Sequence, residues 1–534
     1  MPNARFLAAP LILLSVIWAG LAHAGDTAPS TVGRVSAVQG AVSLRPAGGE
    51  WSSAALNDPI VAGIAVRTNA QGRATIGLGA LRLTLSGASD LEIGRLDDTT
   101  SQIALNQGRI GIHVARLDPG ESIEIDLPRG GLWLLAPGDY DIAAGSDQQP
   151  ARIAVFAGQA HFAGSGADRI VGSGTVLTLN GGNAPGGTVG NAVADDFAAA
   201  WRSASDKPAE AAALQHVSPD IVGWEALDAG GSWQDIADLG SVWVPKTVPA
   251  DWAPYRYGHW RWVAPWGWTW IDDMPWGFAP SHYGRWARIG GLDGAGEQWV
   301  WVPGRSVAHP VYMPATVNFL GSAGIGLSAP DPIGTVIAWF PLAPGEVYWP
   351  SYTTDLDLIR RTNAGAVTNI AKIGPGIGGD PPGELLTASY RNRRFASIVP
   401  RAVFAGGRAV APALVQLPTE RLDNAPLLPG SPQIMPPASR PVVVAVANAV
   451  HTLATILAPH PSRVAARTAM LGSSRPVWAK SAWTRSHFRS RSRSAFNSRV
   501  AMSASRAKAR AVTAYAHSTR AHTRFAAANR TRWH

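Results

Sequence analysis

The sequence predicts a mainly β protein. A β-sandwich or β-solenoid domain comes first, then a tryptophan-rich β-hairpin-repeat domain, then a disordered basic C-terminal tail. Three observations carry this. Short runs of alternating polar and apolar residues recur through the first third, separated by Gly, Asn, Asp and Pro, as half-buried strands require. Tryptophan (22) outnumbers both phenylalanine (12) and tyrosine (9), and 13 of the 22 lie between Trp224 and Trp301. Charge is segregated: 17 of the 46 Lys and Arg residues lie from Asn424 to His534, where no Asp or Glu occurs. The remaining 29 bases face all 37 acids, so the body is net −8 although the whole chain is +9. Basicity therefore concerns the tail alone.

Residues Met1–Ala24 read as a cleavable signal peptide. Arg5 supplies a positive start, Phe6–Leu21 an apolar run, and Ala22 and Ala24 the small residues at the −3 and −1 positions of a cleavage site. The mature chain would begin near Gly25, periplasmic or secreted. Cys is absent, which excludes disulfides, thiol catalysis, Cys-ligated zinc and a lipoprotein anchor on an N-terminal Cys.

From Val32 to about Gly182 the strands read off directly. In LRLTLSG (81–87), Leu83 and Leu85 share one face and Arg82 and Thr84 the other, and RIGIHVARL (109–117) and SIEIDL (122–127) repeat the pattern. GRVSAVQGAVSL (33–44), VRTNAQGRATIGL (66–78), LNQGRIGIHV (105–114), IDLPRGGLWLLAPGDYDI (125–142) and VFAGQAHFAG (155–164) occur in an order that resembles the FecR domain, a periplasmic β-rich module. That resemblance implies an all-β fold. Two departures argue against carrying over its sigma-factor signalling. Only the signal peptide precedes the domain, and Pro137-Gly138-Asp139-Tyr140-Asp141 replaces the family's Arg-Gly-Thr-x-Phe strand.

Residues 186–223 read as a linker with one helix, 194–207, whose Phe197 and Trp201 fall on one face at i,i+4 and which Pro208 ends. The tryptophans then repeat over 224–415. GSW (231–233) with SVWVP (241–245), YGHW (257–260) with WTWI (268–271), and YGRW (283–286) with WVWVP (299–303) are three copies of one pattern. Each copy is a hairpin that cannot bury its own faces, so the three should stack into a compact sheet or small barrel of about six strands. The region resembles a tryptophan-rich family of domains that follows FecR-like domains in exported Gram-negative proteins. The match is carried by residues 252–286, 299–304, 339–352 and 399–412 and spans about 195–415. It implies a non-enzymatic envelope role.

Trp260, Trp262, Trp266, Trp268, Trp270, Trp286, Trp299 and Trp301 are the candidate site. Indoles in rows suit a thin core, which is the plainer reading, or an open platform for sugar rings or prolines. Asp272 and Asp273 would point to opposite faces of a strand and make a poor catalytic pair, so Asp251, Asp272, Asp273 and Glu297 read as solvated charges. His259, His282 and His309 lack metal-type spacing. The chain is therefore expected to be no enzyme and to need no cofactor or metal. Nucleic acid is not expected as a partner, although Arg256, Arg261, Arg285 and Arg288 interleave with the indoles.

Residues 418–534 read as disordered, Pro-rich to about 441 and then rich in Arg, Ser and Ala. Val442–Leu457 is too short for a comfortable membrane span and includes Asn448 and His451. The tail would tether the protein to anionic envelope surfaces. The leading expectation is a scaffold or binding module, possible ligands being polysaccharide or peptidoglycan. A FecR-like sensory module and a carbohydrate-active enzyme are the alternatives.

Overall fold

Alternation along the early strands folds them into two facing sheets. The computed structural model describes residues 28–434, apart from 147, 165–166, 181–185, 206–210, 291–295, 322–335, 376–379 and 429. One nine-stranded sheet runs from an edge at Gly187–Asn191, through Gly138–Ala143, Arg109–Val114, Leu81–Leu85 and Arg73–Leu78, to Pro59–Ile60. The other runs from Ala167–Gly172, through Gly130–Leu134, Ser122–Leu127 and Thr100–Gln107, to Ser52–Ser53. The chain changes sheet after one or two strands. Leu81, Leu83 and Leu85 of one sheet and Ile123, Ile125 and Leu127 of the other enter a single core, while Arg82 and Thr84 remain half-buried.

The pairings distinguish the two varieties of β fold. A β-solenoid stacks successive coils as parallel strands. Here the pairs are antiparallel except Thr100–Gln107 with Ser122–Leu127, so the domain is a sandwich.

Gly187–Asn191 pairs with Thr175–Leu179. The sandwich therefore extends into what the sequence assigned to the linker. The expected helix is Asp196–Ser205. It docks where Gly111 leaves room: a Cβ there would lie 2.3 Å from the Trp201 indole. Trp201 Nε1 donates to Asp141 (3.2 Å), which also holds Arg109 (2.6 Å), and Arg109 reaches Asp195 at the helix start (2.6 Å).

All three expected hairpins form: Gly231–Ile236 with Gly240–Pro245, Gly258–Val263 with Gly267–Asp272, and Arg285–Ile289 with Gln298–Val302. They do not close one barrel or share one sheet. The first and third join through Trp243 opposite Trp301 into a four-stranded sheet, and the second stands alone as a two-stranded ribbon. A further sheet has the order Ser397–Pro400, Val336–Pro341, Val317–Leu320, Leu427–Leu428.

That last strand corrects the expected start of the disordered tail. Residues 418–434 belong to the fold, with a helix at Thr419–Asn424, buried Leu422, and Ile434 packed in the tryptophan cluster. The signal peptide with Ala22 and Ala24, the segment Val442–Leu457 and the rest of the tail lie outside the described residues. Among the described residues no helix is long and apolar enough to cross a membrane.

The two predicted domains are parts of one compact unit. Ala28 and Val32 enter the tryptophan cluster rather than the sandwich core. Asn57, at φ 66°, a conformation that Asn tolerates better than most side chains, donates from Nδ2 to the carbonyls of Asp272 and Met274, both at 2.8 Å. Beside it, Arg261 pairs with the fully buried Asp58 at 2.5 Å, and Arg34 with Glu225 at 3.4 Å.

Candidate functional site

The spacing of the repeats has a structural reason. Trp233 faces Trp243, Trp260 faces Trp270, and Trp286 faces Trp301, so in every hairpin the two corresponding tryptophans are direct cross-strand partners. Directly opposed side chains approach closely enough for ring contact. Trp260 and Trp270 meet edge to face with centroids 5.5 Å apart, and Trp260 also contacts Trp339 and Phe404 at 5.3 Å.

The eight candidate indoles do not form an open platform. Trp260, Trp266, Trp268, Trp270, Trp286, Trp299 and Trp301 are buried; Trp262, 39% exposed, alone shows an open face. A sugar ring cannot stack on an indole whose faces are already covered. Their N–H groups are largely committed as well. Trp268 donates to Ile434 O (2.8 Å), Trp270 to Asp272 (2.9 Å), Trp286 to Pro280 O and Trp301 to Tyr283 O (both 2.9 Å). The Nε1 atoms of Trp260 and Trp266 are buried without a partner, a cost of about 1–3 kcal/mol each that ring burial of similar or larger size offsets.

Residues 224–346 match a family of unknown function, DUF6600. The matched span contains all three hairpins and the strand Val336–Pro341. No curated protein matches the chain. Two crystal structures of a candidate anti-sigma factor from Parabacteroides distasonis are similar to part of it. One, at 1.65 Å resolution, is 11% identical with a TM-score of 0.23 and covers 26% of this chain. The chain spans 64% of that protein's length. The other, at 2.50 Å, is 12% identical with a TM-score of 0.24, covering 34% of this chain and 99% of that one. At such scores neither likeness carries an argument.

The charged residues around the cluster separate into distinct roles. The strand Gly267–Asp272 ends at Asp272, and Asp273 follows it exposed in a bend; Asp272 itself is buried rather than solvated. It accepts from Trp270 Nε1, from Met274 N at 2.9 Å and from Ser281 Oγ at 3.4 Å. Burial outweighs these bonds and pushes its carboxyl up to about 7. His282 is buried too. Its Nδ1–H donates to Met313 O at 2.7 Å, and burial pushes its pKa down to about 3. His309 lies on the surface near Asp220, and burial also lowers His259. Among the described residues no group of three or more His, Asp or Glu side chains could hold a metal ion.

Arg285 is fully buried and held by neutral acceptors: Gly284 O (2.7 Å), Asn363 Oδ1 (2.8 Å) and Glu346 O (3.1 Å). Desolvation lowers it to about 10. It ties the third hairpin to the C-terminal end of the helix Leu356–Asn363, which places a cation where the helix dipole is negative.

Four charges that the sequence left scattered, Asp251, Arg256, Arg288 and Glu297, meet around one cavity. No local pattern pointed to its third aromatic wall, Phe395, which is more than a hundred residues from Arg288 along the chain.

Proposed function

We propose that this chain is a non-enzymatic exported protein of the cell envelope, a rigid β scaffold held by its basic tail against anionic envelope surfaces. The observation that supports the scaffold is the commitment of the indoles. A row of aromatic groups that could have offered a ligand surface instead ties the second half of the chain into one core and, through Asn57 and Arg261, to the sandwich. The export signal in Met1–Ala24 supports the compartment, and the order of the Gly-spaced strands in 32–182 supports a FecR-like module reused as a structural element. The polysaccharide reading of the eight-indole row is not part of this proposal.

The tail supplies the tether by charge alone. Each Lys or Arg close to an anionic surface is worth up to about 1 kcal/mol, and the contribution fades beyond a screening length of about 8–10 Å. The test compares the full chain with one ending at Ile434 on anionic vesicles and on lipopolysaccharide. The proposal expects truncation to remove most binding and high salt to do the same to the full chain. Equal, salt-insensitive binding by both would refute it.

A further inference from the structure

We infer that the cleft between the loop after the third hairpin, residues 303–311, and the C-terminal end of the helix Leu356–Asn363 is a binding site for one phosphate group. The cleft measures about 40 Å³. At 10–15 Å³ for each water this is room for roughly three waters. It suits a small oxyanion and is too small for a sugar or a nucleotide.

Its lining is one-sided in charge. Arg285, Arg305, Arg361 and His216 contribute to it, and among the described residues no Asp or Glu does. The groups that would touch a ligand are open to solvent: Arg305, Ser306 and Arg361 are exposed, and His216 and Ser218 are half-buried. Arg305 commits only Nη2, which donates to Ala364 O at 2.8 Å and Val367 O at 2.9 Å. The rest of its guanidinium, the Arg361 side chain and the backbone N–H groups of Ser306 and Val307 have no acceptor among the described residues. The negative end of the helix counts for roughly half a charge, against three guanidinium groups. The balance at the cleft is therefore strongly positive.

A second observation is independent of the exposed groups. Arg285 is fully buried, makes no ion pair among the described residues and is held by uncharged acceptors. The carboxylate of nearby Glu346 is engaged by Ala343 N at 2.7 Å and Arg391 N at 2.8 Å. Arg285 Nη1 meets Gly284 O and Met313 Sδ, at 2.7 and 3.9 Å, and both residues line the cleft, so the guanidinium sits just beneath its floor. Arg285 does not itself touch the ligand. Its charge acts through protein, where the field of a charge is several times stronger than in water, and it draws an anion towards the cleft above.

The ligand class follows. A cation is repelled, and a neutral molecule leaves three guanidinium charges without a counter-charge. A carboxylate brings one charge in one plane. A phosphate monoester or inorganic phosphate brings up to two charges and oxygens on all sides, which suits guanidinium, hydroxyl and backbone donors converging from separate segments. The site lies in the folded body and does not depend on the tail, so it and the tether can fail separately.

The test is a calorimetric titration of the full chain at low salt with inorganic phosphate, glycerol 3-phosphate and acetate. The expected result is saturable binding of phosphate at one site per chain, weakened about tenfold by Arg361→Ala, the size expected from losing one charged hydrogen bond. The melting temperature should hold in that variant, because the Arg361 side chain has no partner to lose among the described residues. Arg305→Ala should also weaken binding; if it unfolds the chain by releasing Ala364 O and Val367 O, Arg361→Ala decides. The tail variant Arg485→Ala/Arg489→Ala should bind phosphate as the native chain does. Glycerol 3-phosphate binding as tightly as phosphate would assign a lipid headgroup or polymer end as the source, and phosphate alone the free ion; either supports the site. Failure of both phosphates to saturate, binding indifferent to Arg361→Ala, loss in the tail variant, or acetate binding as tightly as phosphate would overturn the inference.

Discussion

Truncating Trp301 to alanine should be among the most damaging single changes in the protein. The ring is fully buried, lies opposite Trp286 on one side and Trp243 on the other, and donates from Nε1 to Tyr283 O at 2.9 Å. Deleting a buried indole costs about 3–5 kcal/mol through lost transfer energy and the cavity left behind. The orphaned Tyr283 carbonyl adds about 1 kcal/mol. The sum is a large share of the 5–15 kcal/mol that holds a typical domain together. Trp301→Phe keeps most of the apolar area but loses the donor, so about 1–2 kcal/mol is expected. Trp262→Ala, at a ring that is 39% exposed, should likewise cost about 1–2 kcal/mol. Guanidinium denaturation followed by circular dichroism would give the three midpoints at constant slope. If Trp301→Ala were no more destabilising than Trp262→Ala, the core reading of the repeat would be wrong.

Three further outcomes follow from specific contacts. Asp272 and His282 oppose each other in pH. Asp272, raised to about 7, is protonated in the folded state while the unfolded carboxyl is not, so its contribution is present at low pH and is lost as pH rises from about 4 to 7. His282, lowered to about 3, stays neutral while the unfolded imidazole protonates, so its contribution is present above about 6.5 and is lost as pH falls towards 3. Each is worth at most about 5 kcal/mol at 1.36 kcal/mol per pH unit. Asp272→Asn should therefore make stability rise with pH between about 4 and 6.5, and His282→Gln should make it fall, as thermal melts across that range would show; parallel profiles would contradict the assignment. Asn57→Gly keeps the backbone conformation but removes three hydrogen bonds, the two that Nδ2 donates and the one Oδ1 accepts from Arg34 Nη1 at 3.4 Å, and should lower stability by about 1–3 kcal/mol in a denaturant titration. A chain ending at Leu417 should lose several kcal/mol relative to one ending at Ile434, because Leu422 and Ile434 are buried and each such side chain is worth about 1.5–3 kcal/mol; equal midpoints would return residues 418–434 to the tail.

What the sequence made legible was local. Period-two alternation located the strands of the sandwich, and the paired tryptophans located all three hairpins, because a hairpin is fixed by residues a turn apart. The helix was found with its start within two residues of Asp196. The sheet that unites the first and third hairpins depends on Trp243 meeting Trp301, a pairing across 58 residues that no local pattern encodes. Gly187–Asn191 was missed because GTVGN carries no alternation, and 418–434 because proline hid the few apolar residues that complete the core. Asp272 looked like a turn residue. Its burial follows from the packing of Gly277, where a Cβ would come within 2.2 Å of the carboxylate, and from Ser281 beyond it.

The claim that the tryptophan repeat is core is tested most directly by hydroxyl-radical footprinting of the native full chain, with oxidation at each indole read by mass spectrometry. Trp262 should be oxidised readily, Trp299 slowly through its cavity, and Trp260, Trp266, Trp268, Trp270, Trp286 and Trp301 only once denaturant unfolds the chain. Comparable native-state oxidation across all eight would contradict the account.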